Sequence, residues 1–133
     1  SNNTLDLLRD MQLTALVHKG TAGDPTTLPA RKVLEMATVD GARVLGIDDS
    51  VGTIAEGRQA DLICIDTDRA HATPLYDPYS HIVFAARAAD VRHVMVGGRV
   101  VVRNRRLETV DLEAVQAQAR TVADRIRAGD SKS

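Results

Sequence analysis

Val51-Gly52-Thr53-Ile54-Ala55-Glu56-Gly57-Arg58-Gln59-Ala60-Asp61-Leu62-Ile63-Cys64-Ile65-Asp66 is the stretch on which the fold turns. Two glycines punctuate it and an unbroken apolar run, Leu62 to Ile65, closes it. Upstream, apolar residues recur at helical spacing. Downstream, two runs rich in β-branched residues flank Gly97-Gly98. The run Leu62 to Ile65 therefore reads as a strand buried on both faces, at the hinge between a helical half and a sheet-forming half. Taken alone, the chain reads as α+β.

Working outward toward the N-terminus, Asn2, Asn3 and Thr4 suit a helix start and Asp6 suits the positive end of its dipole. A helix is expected from about Thr4 to Lys19. Leu5, Leu8, Met11, Ala15 and Leu16 form its apolar stripe, Arg9, Asp10 and Gln12 face water, and Gly20 is the left-handed stop. After a loop over residues 21–27, Pro29 opens a second helix whose inner face carries Ala30, Val33, Leu34 and Ala37 and which ends near Thr38. Asp40 then caps a short third helix from Gly41 to Leu45, terminated by Gly46.

Toward the C-terminus, residues 67–78 have loop composition and Tyr79 to Arg87 reads as a helix with Ile82, Val83 and Ala86 on one side. Val91 to Val96 and Arg99 to Arg103 form a hairpin, because Gly97-Gly98 meets the positive φ demands of a type I′ turn. Leu107 to Val110 leads out of the sheet. Asp111 caps a last helix, with Leu112, Val115, Ala119, Val122 and Ile126 on one face, that ends near Ala128 at Gly129. Residues 130–133 read as a polar tail.

Length and composition set the outer bounds. The 133 residues are 44% hydrophobic and 26% charged with a formal net charge of -1, enough for one domain burying roughly two-thirds of its unfolded surface. That near-neutral balance argues against nucleic acid or an anionic membrane as the main partner, since both normally demand a basic face. Cys64 is the lone cysteine, so a cytoplasmic, reducing compartment is the expectation. No apolar run approaches the roughly 18 residues needed to span a bilayer, and Ser1-Asn2-Asn3-Thr4 lacks the basic and apolar regions of a signal peptide.

Candidate chemistry is sparse. His18, His71, His81 and His93 show neither the i, i+4 nor the i, i+2 spacing of paired metal ligands. They read as a helix end, a loop, a helix surface and a strand position. Cys64, between two isoleucines, reads as core packing and not as a nucleophile. Asp61 and Asp66 lie roughly 16 Å apart on opposite faces of an extended strand, which rules out shared acid/base work. Asp61 is expected to accept from N–H groups near Gly57. Arg99, Arg103, Arg105 and Arg106 cluster without interleaved aromatic residues and read as a solvated strand end.

Gly52-x-Ile54-x-x-Gly57-Arg58-x-Ala60-Asp61-Leu62-Ile63, preceded by Leu34-Glu35-Met36-Ala37-Thr38-x-Asp40-Gly41-Ala42-Arg43-x-Leu45-Gly46, resembles the C-terminal part of the metal-dependent amidohydrolase superfamily. The likeness is to its branch of methylthioadenosine/S-adenosylhomocysteine deaminases and chlorotriazine hydrolases, and it runs over nearly the whole chain. It implies an α/β parent in which residues 1–50 are the last helix of a (β/α)8 barrel and the helical corner behind it. Residues 51–107 would be strands of a composite β-sandwich, with the hairpin at 91–103, and residues 108–133 the C-terminal helix and tail. The resemblance further implies zinc, or another divalent metal such as iron, held by histidines and an aspartate upstream of Ser1. Neither a metal ligand nor a catalytic residue is expected within these 133 residues.

On that resemblance Ser1 and Asn2 come nearest the metal-binding aspartate, as substrate-binding candidates at the mouth of the site, the other reading being plain helix caps. The implied reaction is hydrolytic deamination or dechlorination of an aromatic nitrogen heterocycle by a water that the ion acidifies. The implied partners are the remainder of the polypeptide and that small heterocycle, with a homodimer as the typical assembly. The competing expectation is a free-standing, non-catalytic α+β binding or interaction domain.

Overall fold

A computed structural model describes residues 5–130 of the chain. Asp6, in extended conformation, accepts from the Arg9 N–H at 3.2 Å and opens helix α1, Leu7–Ala22. The helix starts later than its composition suggests and runs past Gly20 to Gly23, where φ is 63°. Within that extra turn the Thr21 hydroxyl donates back to the Val17 and His18 carbonyls. Of the expected stripe Leu8, Met11 and Ala15 are buried, whereas Leu5 precedes the helix at 92% exposure and Leu16 is exposed. Gln12 does not simply face water, since its amide donates to the Phe84 carbonyl at 2.8 Å.

Pro29 caps α2, Ala30–Glu35. The chain stays helical through a π-helical turn, Met36–Asp40, and on through α3, Gly41–Leu45, to Gly46 at φ 67°. Asp40 is thus no cap: its backbone is already helical, which denies its carboxylate the geometry of an N-cap. It accepts instead from Lys32 Nζ at 2.7 Å and Arg43 Nη1 at 3.1 Å. Lys32 holds the Asp40 carboxyl below its ordinary value.

The described strands form one antiparallel sheet in the order β1 (Leu62–Ile65), β2 (Val91–Val96), β3 (Arg99–Arg103), β4 (Arg106–Leu107). Gly97 and Gly98 sit at φ 55° and 79° between paired Val96 and Arg99, the I′ hairpin that the sequence predicts. A second two-residue turn follows at Asn104 and Arg105, φ 48° and 66°, and adds β4 where a plain exit from the sheet was expected. Arg105 is bound, not simply solvated: its Nη2 reaches Asp66 at 2.7 Å, its Nε reaches the Ala89 carbonyl at 2.9 Å and its N–H reaches Arg92.

The burial expected for β1 is not met. Ile63 is 55% exposed and Cys64 is exposed, because the described elements supply no second layer over them. Core packing is therefore not the setting of Cys64 in this chain. The core lies instead among Leu8, Met11, Ala15, Ala30, Val33 and Val83, with Ile65, Ile82 and Val91 packed around it. Helix α5, Leu112–Asp130, opens on Asp111, which accepts from the Ala114 N–H at 3.1 Å, and continues past Gly129. Its apolar residues Leu112, Val115, Val122 and Ile126 are exposed.

The stretch from Val51 to Asp66 joins the two halves by hydrogen bonds to backbone carbonyls. Gln59 N–H donates to the Ser50 carbonyl, Arg58 Nη1 to the Asp48 carbonyl, and Gly98 N–H to the Ala60 carbonyl. Asp61, just ahead of β1, accepts from the Gly97 N–H in the turn of the β2–β3 hairpin, not from amides near Gly57. Gly52, at φ 93°, lies where a Cβ would meet Ala42 Cβ at 3.0 Å and the Thr38 carbonyl at 3.3 Å. Gly57, at φ 80°, has open space around it. Gly57→Ala is expected to cost about 1–2 kcal/mol for the left-handed backbone. Gly52→Ala should lose a further 1–3 kcal/mol or so from overpacking. Urea unfolding of the two variants checks this, and equal losses would mean that the approach to α3 is loose.

Candidate functional site

Asp77-Pro78 builds the segment that carries the most unusual side chain. The Asp77 carboxylate accepts from the N–H groups of Tyr79 and Ser80 at 3.2 and 3.1 Å and from the Ser80 hydroxyl at 2.6 Å. The Ser80 hydroxyl bond, with the backbone bonds beside it, holds the Asp77 carboxyl below its ordinary value. Pro78 occupies the first helical position, where its missing N–H costs nothing. Helix α4, Pro78–Ser80, passes directly into a π-helical turn, His81–Ala85. The helical segment expected to Arg87 therefore stops short, Ala86 turning to an extended backbone.

His81 is not on a helix surface. It is 8% exposed, its ring is stacked on His71 with centroids 6.3 Å apart, and its Nε2 has no hydrogen-bond partner among the described residues. Sequence reasoning missed it because this turn is packed on both sides. Val83 enters the core while His81 turns toward the Ala70–Ala72 turn, so no single stripe marks the buried face. Asp77-Pro78, a strong helix start just ahead of it, is the signal that could have fixed its place in the first turn.

His71 lies in the 3-10 turn Ala70–Ala72, not in open loop. Its Nε2 donates to Asp90 Oδ2 at 2.9 Å, and the same oxygen accepts from the Arg87 N–H at 2.9 Å. Burial pushes the Asp90 carboxyl up, but the bonds from His71 and Arg87 outweigh it and leave the group below its ordinary value. The Asp90 carbonyl accepts from the Asp66 N–H at 2.8 Å, which fastens this cluster to the end of β1. Asp66 is itself committed to Arg105 and Arg69, the Arg105 bond foremost in lowering its carboxyl. Asp61 and Asp66 thus serve different partners and share no reacting atom.

Beside His81 opens a groove of about 750 Å³ between α1, the α2–α3 corner and β1. Leu7, Met11, Leu45, Ile54, Ile63 and Ile82 are among its mostly aliphatic walls. His93 faces Cys64 across the β1–β2 ladder and accepts from the Asn104 N–H at 3.4 Å. Among the described residues no group of three or more His, Cys, Asp or Glu could hold a metal ion, so they do not fit a metal centre. No described helix is long and apolar enough to cross a membrane. Ser1 and Asn2, the substrate-binding candidates, lie outside the described residues. What the groove offers chemically is a mostly aliphatic surface, and the unanswered His81 Nε2 is itself closed off from solvent.

Because the folded Asp90 carboxyl lies below the ordinary carboxylate value of about 3.9, its contribution is present above that pH and lost as pH falls through the lower folded value. Asp90→Asn is expected to cost about 1–3 kcal/mol at neutral pH and to flatten the acid limb of stability against pH. Urea midpoints measured from neutral pH downward check it, and an unchanged acid limb would mean that the carboxylate is not linked to folding.

The model of the amidohydrolase family matches residues 1–101. A 5-methylthioadenosine/S-adenosylhomocysteine deaminase of Syntrophobacter fumaroxidans is 46% identical over 127 residues, 96% of this chain and 29% of that protein. A 5′-deoxyadenosine deaminase of Methanosarcina acetivorans is 45% identical over 126 residues, 95% of this chain and again 29% of the relative. Among solved structures, an adenosine deaminase from Xanthomonas campestris with bound zinc superposes with a TM-score of 0.93 at 38% identity, over 96% of this chain and 29% of that one. A zinc-complexed atrazine chlorohydrolase from Arthrobacter aurescens gives 0.77 at 34% identity, over 86% of this chain and 25% of its own. The chain therefore spans less than a third of the length of these relatives, all of them enzymes. From its matched residues and this shared fold, the chain belongs to the amidohydrolase family.

Proposed function

We propose that this chain is the C-terminal portion of a metal-dependent amidohydrolase that deaminates an adenosine derivative, water adding at the amino-bearing ring carbon and ammonia leaving. The observation that carries this reading is the likeness to deaminases, at 38–46% identity over some 95% of the chain. Dechlorination of a triazine is the second reading, favoured by the atrazine chlorohydrolase, although at lower identity and TM-score.

In this reading α1 is the last helix of a (β/α)8 barrel and residues 1–50 buttress its wall. Residues 51–107 belong to a composite β-sandwich and residues 108–133 close the chain. Chemistry on such a barrel sits at the C-terminal ends of its strands, and Ser1 and Asn2, just ahead of the Asp6 cap, are the residues assigned to substrate positioning. Zinc or another divalent ion takes its ligands from the upstream polypeptide, as the zinc in the two related structures suggests. A cytoplasmic homodimer completes the reading.

Ammonia release by the intact polypeptide from 5′-methylthioadenosine, S-adenosylhomocysteine and 5′-deoxyadenosine tests it. Turnover of at least one, abolished by a strong chelator and restored by zinc, is expected. Activity confined to triazines would transfer the assignment to the second reading, and activity on neither would overturn both. Asn2→Ala should raise KM several-fold with little change in melting midpoint. A lower midpoint at unchanged KM would make Asn2 a helix cap alone.

A further inference from the structure

We infer that helix α5 is where two copies of the protein meet, its apolar seam packing antiparallel against the same helix of a second copy. This rests on the reading of the protein as a homodimer, and names the surface that reading leaves open.

The spacing of the seam is the first observation. Leu112, Val115, Ala119, Val122 and Ile126 step by three and four residues in strict alternation, the first and fourth places of a heptad carried through. All five are exposed. Of the places flanking the seam, Gln116, Gln118 and Arg125 are polar and Ala123 is small. A stripe this narrow suits one facing helix, whereas a helix laid on a broad globular body carries a wider apolar face.

Charge is the second observation, and it selects the occupant. Asp111 and Glu113 are the charges of residues 111–119, while Arg120, Arg125 and Arg127 outnumber Asp124 over residues 120–128. A parallel pair would set acid on acid and base on base. An antiparallel pair sets each acidic end on a basic one and opposes the two helix dipoles. One sequence thus supplies both halves of a complementary contact, which is what a two-fold interface requires. With Leu112 against Val122 of the second copy and Val115 against Ala119, Asp111 falls beside Arg125 at both ends. Asp111 gives one carboxylate oxygen to the Ala114 N–H and keeps the other, and Arg125 has no ion-pair partner among the described residues. The small Ala119 near the centre lets the two helices approach closely.

The test uses the intact polypeptide. Sedimentation over a dilution series should show Val122→Arg raising the dimer dissociation constant about a hundredfold, since the residue enters the contact twice, with ammonia release per chain within a few-fold of the parent. A dimer that survives Val122→Arg would overturn the proposal: a lowered melting midpoint beside it would mean that upstream polypeptide covers the seam, an unchanged one that water does. A parent protein that is monomeric at every concentration would overturn it together with the homodimer reading. Arg125→Glu leaves the apolar seam whole and should still weaken the dimer about tenfold; an unchanged constant would overturn the antiparallel pairing. In a Cys64→Ser background, Gln118→Cys lies beside the two-fold axis and should be joined to its copy by a short bis-maleimide, whereas Glu113→Cys, at the helix end, should not. No linkage at Gln118→Cys, or linkage only at Glu113→Cys, would overturn it as well. A dimer lost at Val122→Arg in a protein that releases no ammonia from any adenosine derivative would sink the deaminase reading and leave this surface standing.

Discussion

The rest of the chain depends on how closely α1 can lie against the α2 corner and the His81–Ala85 turn. Ala15 is wholly buried and Val33 and Val83 nearly so. A small residue at 15 opens the space, and the two β-branched residues fill it with little side-chain freedom left to lose. Gln12 then fixes the contact by its bond to the Phe84 carbonyl. Everything between, from the Gly52 crossing to the ladder of β1 on β2, hangs from that small core.

Local rules in the sequence accounted for much of this. The Gly97-Gly98 hairpin, the Asp111 cap and the stop at Gly46 are each set by one or two residues whose backbone demands are steep, and each appears as expected. The second turn was invisible because it uses Asn104 and Arg105 where glycine would announce a positive φ, and distant partners, Asp66 and Ala89, hold Arg105 there. Asp40 illustrates the converse: a good capping residue kept inside a helix by two cations.

The candidate site was harder to read for a related reason. Burial on both sides of the His81–Ala85 turn erases the periodicity that separates core from surface, and the meeting of His71, His81 and Asp90 depends on segments far apart in sequence. The apolar run Leu62 to Ile65 announced a strand covered on both faces, yet the described residues leave Ile63 and Cys64 open. Among the described residues no second layer answers the run, and the chain spans 29% of the length of the Syntrophobacter deaminase it matches.

Arg105 carries a consequence for how the sheet can vary. Its backbone is held in a conformation that glycine adopts freely, while its guanidinium straps the turn to the end of β1 and to the segment carrying Asp90. A glycine there would relax the bend and cut the strap, whereas a lysine would keep a charge but give up the forked grip on two acceptors at once. Local comfort and long-range tethering therefore pull this position in opposite directions, and a relative that abandons the arginine has to fasten its last strand by other means.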